Sequence, residues 1–493
     1  MAADPLEQAL HRYFGWEAFR PGQRPVVDAL LAGRDCLAVL PTGGGKSLCY
    51  QLPALVRDGL VVVISPLVAL MQDQVRGLQA RGIAAACLHS NLDLHGQRQL
   101  RGWLADGCLR LLYLAPERLQ AEPTRRLLDD LQDGGRLVGL AVDEAHCISA
   151  WGHDFRPHYR QLGQLRSLCP GVPLVALSAT AAPQVRADII RLLQLRRPLI
   201  QVRSARRPNL SYTMEPRPAD PLARVLTAVA EARGAVLIYA RTRRSVEQWA
   251  QRLGQAGVAA IAYHAGMDGG SRQLALEHFQ REPRPVLVAT VAFGMGVDRG
   301  DVGLVLHLDL PASPEGYLQE SGRAGRDGQP AQCLVLFDPA DRASLGWAIR
   351  SGAQAGETDA RLAQAQQQLR RMEAVAEGDS CREQALLLAV GELVSPCGRC
   401  DNCLRSGRPR IDWSDRAALV LEALEARSGR ELRHLAADLA EAHGSDEQRW
   451  GWLARRLVQE GLISESDDGI QRLWLQPSGR SFLRAPWTLP WAA

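Results

Sequence analysis

The chain has 493 residues, too many for one hydrophobic core and enough for three or four domains at roughly 100–200 residues each. Its formal charge is +4 with histidine neutral, which excludes a globally basic nucleic-acid binder and leaves any anion-binding surface to be local. The N-terminal Met1-Ala-Ala-Asp-Pro5 lacks the basic flank and apolar core of a signal peptide, and the most apolar window, Gly59 to Leu70, is broken by Ser65-Pro66 well short of the ~18 residues of a membrane span, so a soluble, cytosolic chain is expected.

In chain order, the first distinctive stretch runs from Tyr13-Phe14-Gly15-Trp16 to Phe19-Arg20-Pro21-Gly22-Gln23. Aromatics, a guanidinium and an amide in one segment suit recognition of a planar base, with Trp16 stacking on it, Arg20 beside it and Gln23 bonding its edge; packing of an N-terminal helix on the first lobe is the alternative. Next, an apolar strand Cys36 to Leu40 runs into Pro41-Thr42-Gly43-Gly44-Gly45-Lys46-Ser47 and then into a helix-like run from Ser47 to Leu52. Three glycines let the backbone curl with its N–H groups inward, Lys46 supplies a charge, and Ser47 can hold Mg²⁺ at the helix start, which together make a phosphate cradle. The position five residues before Gly45, where the full motif has glycine, holds Leu40. Of the 58 lysines and arginines, Lys46 is the one lysine and the other 57 are arginine. A compact ammonium fits a closed anion pocket where a planar guanidinium is too wide, so this position alone resisted the drift to arginine.

Short apolar segments, Val61–Ile64, Leu109–Leu114, Val138–Val142 and Leu174–Leu177, alternate with helix-length amphipathic ones, the pattern of a parallel sheet covered by helices. The third of these ends in Asp143-Glu144-Ala145-His146. With a phosphate cradle upstream, Asp143 fits Mg²⁺ and Glu144 fits the base that orients an attacking water. Trp151, His153, Phe155 and Arg156 then crowd a Gly/Pro-bounded loop apt for stacking on bases, and Ser178-Ala179-Thr180 closes the next strand.

Arg203 through Asn209 and the Pro-rich stretch to Pro221 read as the linker between two lobes. A second strand–helix series holds Ala235–Tyr239, Val286–Ala289 and Leu304–Leu308 with no cradle of its own. It offers Tyr263-His264-Ala265-Gly266, then Thr290 and Gly294-Met-Gly296-Val-Asp298, then Gln319 with Arg323 and Arg326 among glycines. Two arginines three apart, free to approach closely, suit a charge clamp on a γ-phosphoryl group held by the other lobe.

In this order, Phe19 to Gln23, Pro41 to Ser47, Ser65-Pro-Leu67, Asp143 to His146, Trp151 to Pro157, Ser178 to Thr180, Tyr263 to Gly266, Gly294 to Gly296 and Gln319 to Gly328 resemble the motifs of the RecQ family of superfamily-two DNA helicases, over about Tyr13 to Cys403. The resemblance implies two RecA-like α/β lobes that bind ATP between them and unwind duplex or branched DNA with 3′-to-5′ polarity in recombination and repair. It also implies DNA contacts at Ser65 and Thr290, a nucleotide contact at Asp298, and a loop from Trp151 to Arg156 that couples single-strand binding to hydrolysis. Single-strand-binding protein is a further partner of such enzymes, and a monomer in the bacterial cytosol or nucleoid is the expected state.

Seven of the eleven cysteines are scattered and read as buried small hydrophobes in a reducing compartment. The other four, Cys381, Cys397, Cys400 and Cys403, fall within 23 residues with ligand spacing for tetrahedral Zn²⁺. Glu357 to Glu377 is a helical pattern read as part of a platform hairpin. Beyond Arg408, segments Trp413–Arg427, Glu431–His443 and Glu447–Glu460 predict helices, and Leu462-Ile463 with Leu473–Leu475 predict two strands around Asp467-Asp468-Gly469, a short winged helix. The expected division is residues 1–204 and 205–340 for the two lobes, 341–408 for platform and zinc module, and 409–493 for the reduced winged helix and tail.

Overall fold

The structure is a computed structural model that describes residues 4–88, 94–149, 156–291, 293, 299–351, 359–405, 410–466 and 470–492. Seven strands form the first sheet: β1 (Cys36–Val39), β2 (Leu60–Ile64), β3 (Ala85–Leu88), β4 (Leu111–Leu114), β5 (Leu137–Val142), β6 (Leu174–Ser178) and β7 (Leu199–Val202). Their order is β3-β4-β2-β5-β6-β1-β7, and every pairing is parallel. Parallel strands need crossover helices on both faces, so β1, β2, β4 and β6 are buried throughout and read as unbroken apolar runs. With β6 between β1 and β5, one edge of the sheet carries the cradle, Ser178-Ala179-Thr180 and Asp143-Glu144 side by side.

The opposite end of β1 is fixed by Asp35. Its buried carboxylate accepts from Arg166 Nη2 at 2.6 Å, from Leu174 N at 2.9 Å and from Arg196 N at 2.6 Å, joining the starts of β1, β6 and the segment leading to β7.

The second sheet contains β8 (Leu210–Pro216), β9 (Ala235–Tyr239), β10 (Ala260–Tyr263), β11 (Val286–Ala289), β12 (Val302–His307) and β13 (Ala331–Phe337), again all parallel, in the order β10-β11-β9-β12-β13-β8. This corrects the expected linker from Arg203 to Pro221. Only the residues up to Asn209 connect the lobes, while Leu210–Pro216 runs beside β13 in register, from Leu210 opposite Ala331 to Pro216 opposite Phe337. Buried Leu210, Tyr212 and Met214 alternate with less buried neighbours, the period-two pattern of an edge strand that the surrounding prolines had masked.

Helices Pro339–Ser351 and Asp359–Glu377 pack against each other as the platform, and Arg382–Ala389 follows before the cysteine-rich turn. The last unit holds helices Ser414–Ala426, Leu432–His443 and Glu447–Gln459 with the antiparallel sheet β15 (Arg430–Glu431), β17 (Arg472–Leu475) and β16 (Ile463–Glu465), a winged-helix arrangement within a residue or two of the expected bounds. The chain end is also structured: helix Pro477–Arg484 packs on the unit, and β18 (Pro490–Ala492) pairs antiparallel with β14 (Arg410–Asp412). There Trp452 joins Trp413 and Trp491, with ring centroids 4.9 and 6.1 Å apart. Buried ion pairs tie the wing to the platform: Arg342 bonds both Glu373 and Glu465 at the end of β16, and Arg455 lies 2.6 Å from Glu377. The turn Asp467-Asp468-Gly469 lies outside the described residues.

Replacing Asp35 by Ala strands the Arg166 charge in the base of the first lobe, so a loss of about 3–5 kcal/mol is expected. Urea unfolding measures it; an unchanged midpoint would show that Asp35 does not hold the strand starts together.

Candidate nucleotide cleft and metal centre

The cradle begins where β1 ends. Leu40, in place of the motif's first glycine, is buried, and its N–H continues the ladder to Ser178 O at 3.0 Å. The curl needs Gly43 and Gly45, at φ +78° and +71°, in the left-handed region that side chains disfavour. At Gly45 a Cβ would also sit 2.3 Å from Gln23 Nε2. That amide is buried and engaged: Oε1 accepts from Arg20 N at 2.7 Å, and Nε2 donates to Gly44 O at 3.1 Å and Gly45 O at 2.9 Å. The Arg20 guanidinium donates to Gly43 O. Here Gln23 and Arg20, expected beside a base, hold the carbonyl side of the cradle. Trp16 is 38% exposed, stacked on Phe14 of the N-terminal helix with centroids 5.6 Å apart, and lies under Arg20.

Asp143 and Glu144 follow β5 directly. Burial holds the Asp143 carboxyl well above the ordinary carboxylate range, Glu144 adds to the effect, and Lys46 is near enough to oppose it. Asp143 is buried and Glu144 half-buried, so this acid pair loses solvation that a bound cation would restore. Glu144 stands at φ +46°, ψ +47°, a left-handed conformation that costs a non-glycine residue about 1–3 kcal/mol. Tyr159 OH donates to Asp143 O at 2.9 Å and helps fix this turn. Ser178 Oγ gives its one proton to Thr180 O at 2.6 Å, so it must accept from His146 Nδ1 at 3.0 Å, which sets the imidazole tautomer. The Asp143–His146 turn is thereby tied to the Ser178–Thr180 loop.

The second lobe meets the cradle at the end of helix Pro314–Ser321. Thr42 lies so close to Gly322 that a Cβ there would be 3.1 Å from the threonine Cβ, and a Cβ on Gly43 would be 3.4 Å from Arg326 Cγ. Gln319 Nε2 and Arg323 Nε are buried without a hydrogen-bond partner among the described residues, donors that a phosphate could use. Sequence spacing singled out Lys46, Asp143, Glu144, Gln319, Arg323 and Arg326. The fold puts the Arg326 turn of one lobe against the cradle of the other.

Of the residues expected at DNA, Arg156 donates to Pro66 O at 2.9 Å, next to buried Ser65, whose hydroxyl finds no partner among the described residues. Thr290 follows β11 and accepts from Phe293 N at 2.8 Å. Trp151, His153, Phe155, Gly294-Met-Gly296 and Asp298 lie outside the described residues. Sequence reading missed two side chains at the cleft, Arg207 and Asn209, because they sit in the segment taken for a linker. Their signal was a cation and an amide immediately before an edge strand.

In the cysteine-rich turn the four expected sulfurs, of Cys381, Cys397, Cys400 and Cys403, lie within 4.8 Å of one another. Cys397 to Cys403 is 3.9 Å and Cys400 to Cys381 is 4.0 Å, close to the about 3.8 Å edge of a tetrahedron with Zn–S bonds of about 2.3 Å, and far too long for disulfides. Backbone N–H groups of Cys397, Arg399, Cys400 and Cys403 point to sulfur at 3.2–3.4 Å, the donor set that stabilises thiolates around a metal.

Residues 20–189 match the family model described as DEAD/DEAH box helicase, residues 220–328 the helicase conserved C-terminal domain, and residues 339–404 the RecQ zinc-binding family. The chain is 38% identical over 507 residues to the ATP-dependent DNA helicase RecQ of Pasteurella multocida, covering 97% of this chain and 79% of that one. To the protein of the same name from Haemophilus influenzae it is 44% identical over 398 residues, covering 80% of this chain and 63%, less than two thirds, of the other. Among solved structures, Mycobacterium smegmatis helicase Lhr bound to ssDNA and AMP-PNP matches with a TM-score of 0.56 at 19% identity, over 96% of this chain and 61% of that one. S. cerevisiae Dbp5 bound to RNA and ADP BeF3 matches at 0.53 and 17%, over 75% and 98%; at such identities both speak for the fold. Cradle, acidic turn, arginine turn and four-cysteine cluster agree with these matches residue range by residue range, and the chain belongs to the RecQ family of ATP-dependent DNA helicases.

Proposed function

We propose that this chain is an ATP-dependent 3′-to-5′ DNA helicase that hydrolyses ATP between its two lobes and moves along a single strand to unwind duplex or branched DNA in recombination and repair. The observation that carries the reading is the packing of Gly322 and Arg326 of one lobe on Thr42 and Gly43 of the other, because a γ-phosphoryl group held by Lys46 then lies between opposed cations. Ser47 and Asp143 would hold Mg²⁺, which when bound neutralises phosphate charge. Glu144 orients and deprotonates the attacking water, and Arg323 and Arg326 stabilise the charge that develops on the transferred group, with Gln319 as a further donor. Asp298 completes the nucleotide contacts from the second lobe.

Hydrolysis relaxes the contact between lobes, and a strand lying across both is drawn through one step per cycle. Ser65, Thr290 and the loop with Trp151, His153, Phe155 and Arg156 report DNA occupancy to Glu144; the Arg156 bond to Pro66 O supports that route, since it joins the two loops beside the acidic turn. The four-cysteine module is structural. Single-strand-binding protein is a partner, the working form is a monomer, and the cytoplasm or nucleoid its place.

The test is strand separation on duplexes with 3′ or 5′ tails. Wild type should open only the 3′-tailed duplex, and Lys46→Arg should abolish ATP turnover with the fold intact, since a guanidinium is too wide for the cradle. Turnover near the wild-type rate in Lys46→Arg would refute the role given to Lys46, and opening of the 5′-tailed duplex alone would reverse the polarity.

Protein purified without chelator should contain one zinc per chain, and Cys400→Ser should lower stability more than ATPase chemistry. Metal analysis that finds no zinc overturns the assignment.

The wing is expected to grip duplex without splitting it. Asp467 and Asp468 would meet phosphates with like charge, and the strand leading to them is tied to the platform through Arg342 and Glu465. Changing both acids to Asn should leave unwinding unchanged and tighten duplex binding, most at low salt; loss of unwinding with ATPase preserved would make this turn the strand separator.

A further inference from the structure

Arg207 lies in the short connection between lobes and makes no acidic ion pair among the described residues. Its Nη1 donates to Thr42 O of the cradle and to Gly322 O, both at 3.3 Å, and its Nη2 donates to Ala324 O at 3.0 Å and Gly325 O at 2.7 Å. One guanidinium thus spans both lobes through four peptide carbonyls. Burial disfavours that charge, and Arg207 is held below the usual arginine range for this reason. A half-buried cation with neutral acceptors loses solvation without an opposite charge to offset it, and a planar fork of five N–H donors is the side chain that can reach four oxygens at once.

Three of these carbonyls, of Gly322, Ala324 and Gly325, belong to the turn that carries Arg323. Asn209 fastens the same turn from the other side, with Nδ2 donating to Gly325 O and to Gln329 O, both at 2.8 Å. Gly325 permits this at φ +53°, where a Cβ would lie 2.5 Å from Asn209 Nδ2. The backbone of Arg207 is itself secured. Arg399, between Cys397 and Cys400, donates from Nη2 to Arg207 O at 3.0 Å and from Nε to Leu210 O at 2.7 Å, and Glu383 pairs with both Arg399 and Arg206.

We infer that Arg207 is a positioning residue for phosphoryl transfer: by fixing the Gly322–Gly325 turn against Thr42 it sets Arg323 and Arg326 over the cradle, and it acts through them without touching nucleotide. The inference rests on hydrolysis between the lobes, and it makes a distinct demand on the kinetics. Ground-state nucleotide binding is left to Lys46 and the cradle, so losing Arg207 should lower kcat and spare KM. A lysine keeps the charge but cannot span four acceptors, so Arg207→Lys should behave as a loss.

The experiment measures ATP turnover stimulated by single-stranded DNA, as a function of ATP concentration, in full-length wild type, Arg207→Lys and Asn209→Ala. Binding of a fluorescent ADP analogue, zinc content and the thermal midpoint are followed in parallel. Arg207→Lys should lose about tenfold or more in kcat, with KM and ADP affinity within about twofold of wild type and zinc and midpoint retained. Asn209→Ala should show the same pattern with a smaller loss, and it decides the question alone should Arg207→Lys fail to fold. Unchanged kcat, or a raised KM at preserved kcat, overturns the inference. Absence of turnover in wild type would instead remove the hydrolytic reading on which it rests.

Discussion

A loop that turns its N–H groups inward to hold an anion must turn its carbonyls outward, and those oxygens need donors of their own. In this chain the outward carbonyls of the cradle are taken one after another by side chains from elsewhere: Thr42 O by Arg207, Gly43 O by Arg20, and Gly44 O and Gly45 O by Gln23. The cradle is therefore held in shape from behind. One of its holders comes from the connection to the second lobe: Arg207 divides its donors between Thr42 O and the turn that carries Arg323, while the carbonyls of Gly43 to Gly45 are held by Arg20 and Gln23 without it.

The remaining chemistry follows from strand order. Because β6 separates β1 from β5, the Ser178–Thr180 loop lies between the cradle and the acidic turn, and His146 reaches Ser178 across it. Two adjacent acids at the end of a buried strand repel each other and lose solvation, and both penalties fall when a cation binds. The strained turn at Glu144 is held by local bonds, from Tyr159 to the Asp143 carbonyl and from Cys147 N to Glu144 O at 2.9 Å.

Much of this was legible in the sequence because it rests on local rules. The Gly-rich loop after an apolar strand, the acids closing β5, two arginines among glycines and four cysteines at ligand spacing each carry their chemistry in a few contiguous residues. What could not be read depends on contacts far apart in the chain. The hold of Gln23 on Gly44 O and Gly45 O could not be read from the sequence, because those partners are brought to it only by folding. Strand β8 was hidden because prolines at its end and beyond it outweigh a short alternation, and its pairing with β13 spans more than a hundred residues. Arg207 and Asn209 were missed with it. The tail strand β18 gave no sign of its own either, since its partner β14 has three exposed residues and lies about eighty residues away in the chain.

The arginine-rich composition fits these contacts. Arg207 serves four carbonyls, Arg399 serves three carbonyls and a carboxylate, Arg382 bonds Asp401 with two nitrogens at 3.0 and 3.1 Å, and Arg166 reaches both Asp35 and Val172 O. Each has several acceptors in different directions, which a fork satisfies and a single ammonium does not. A drift from lysine to arginine is harmless or better at every one of them. Within a ring of inward N–H groups the demand is reversed: the acceptor is one compact anion, the opening is narrow, and a point charge on a flexible stem is the side chain that fits. The role proposed for position 46 makes that demand, and the chain's one lysine is there.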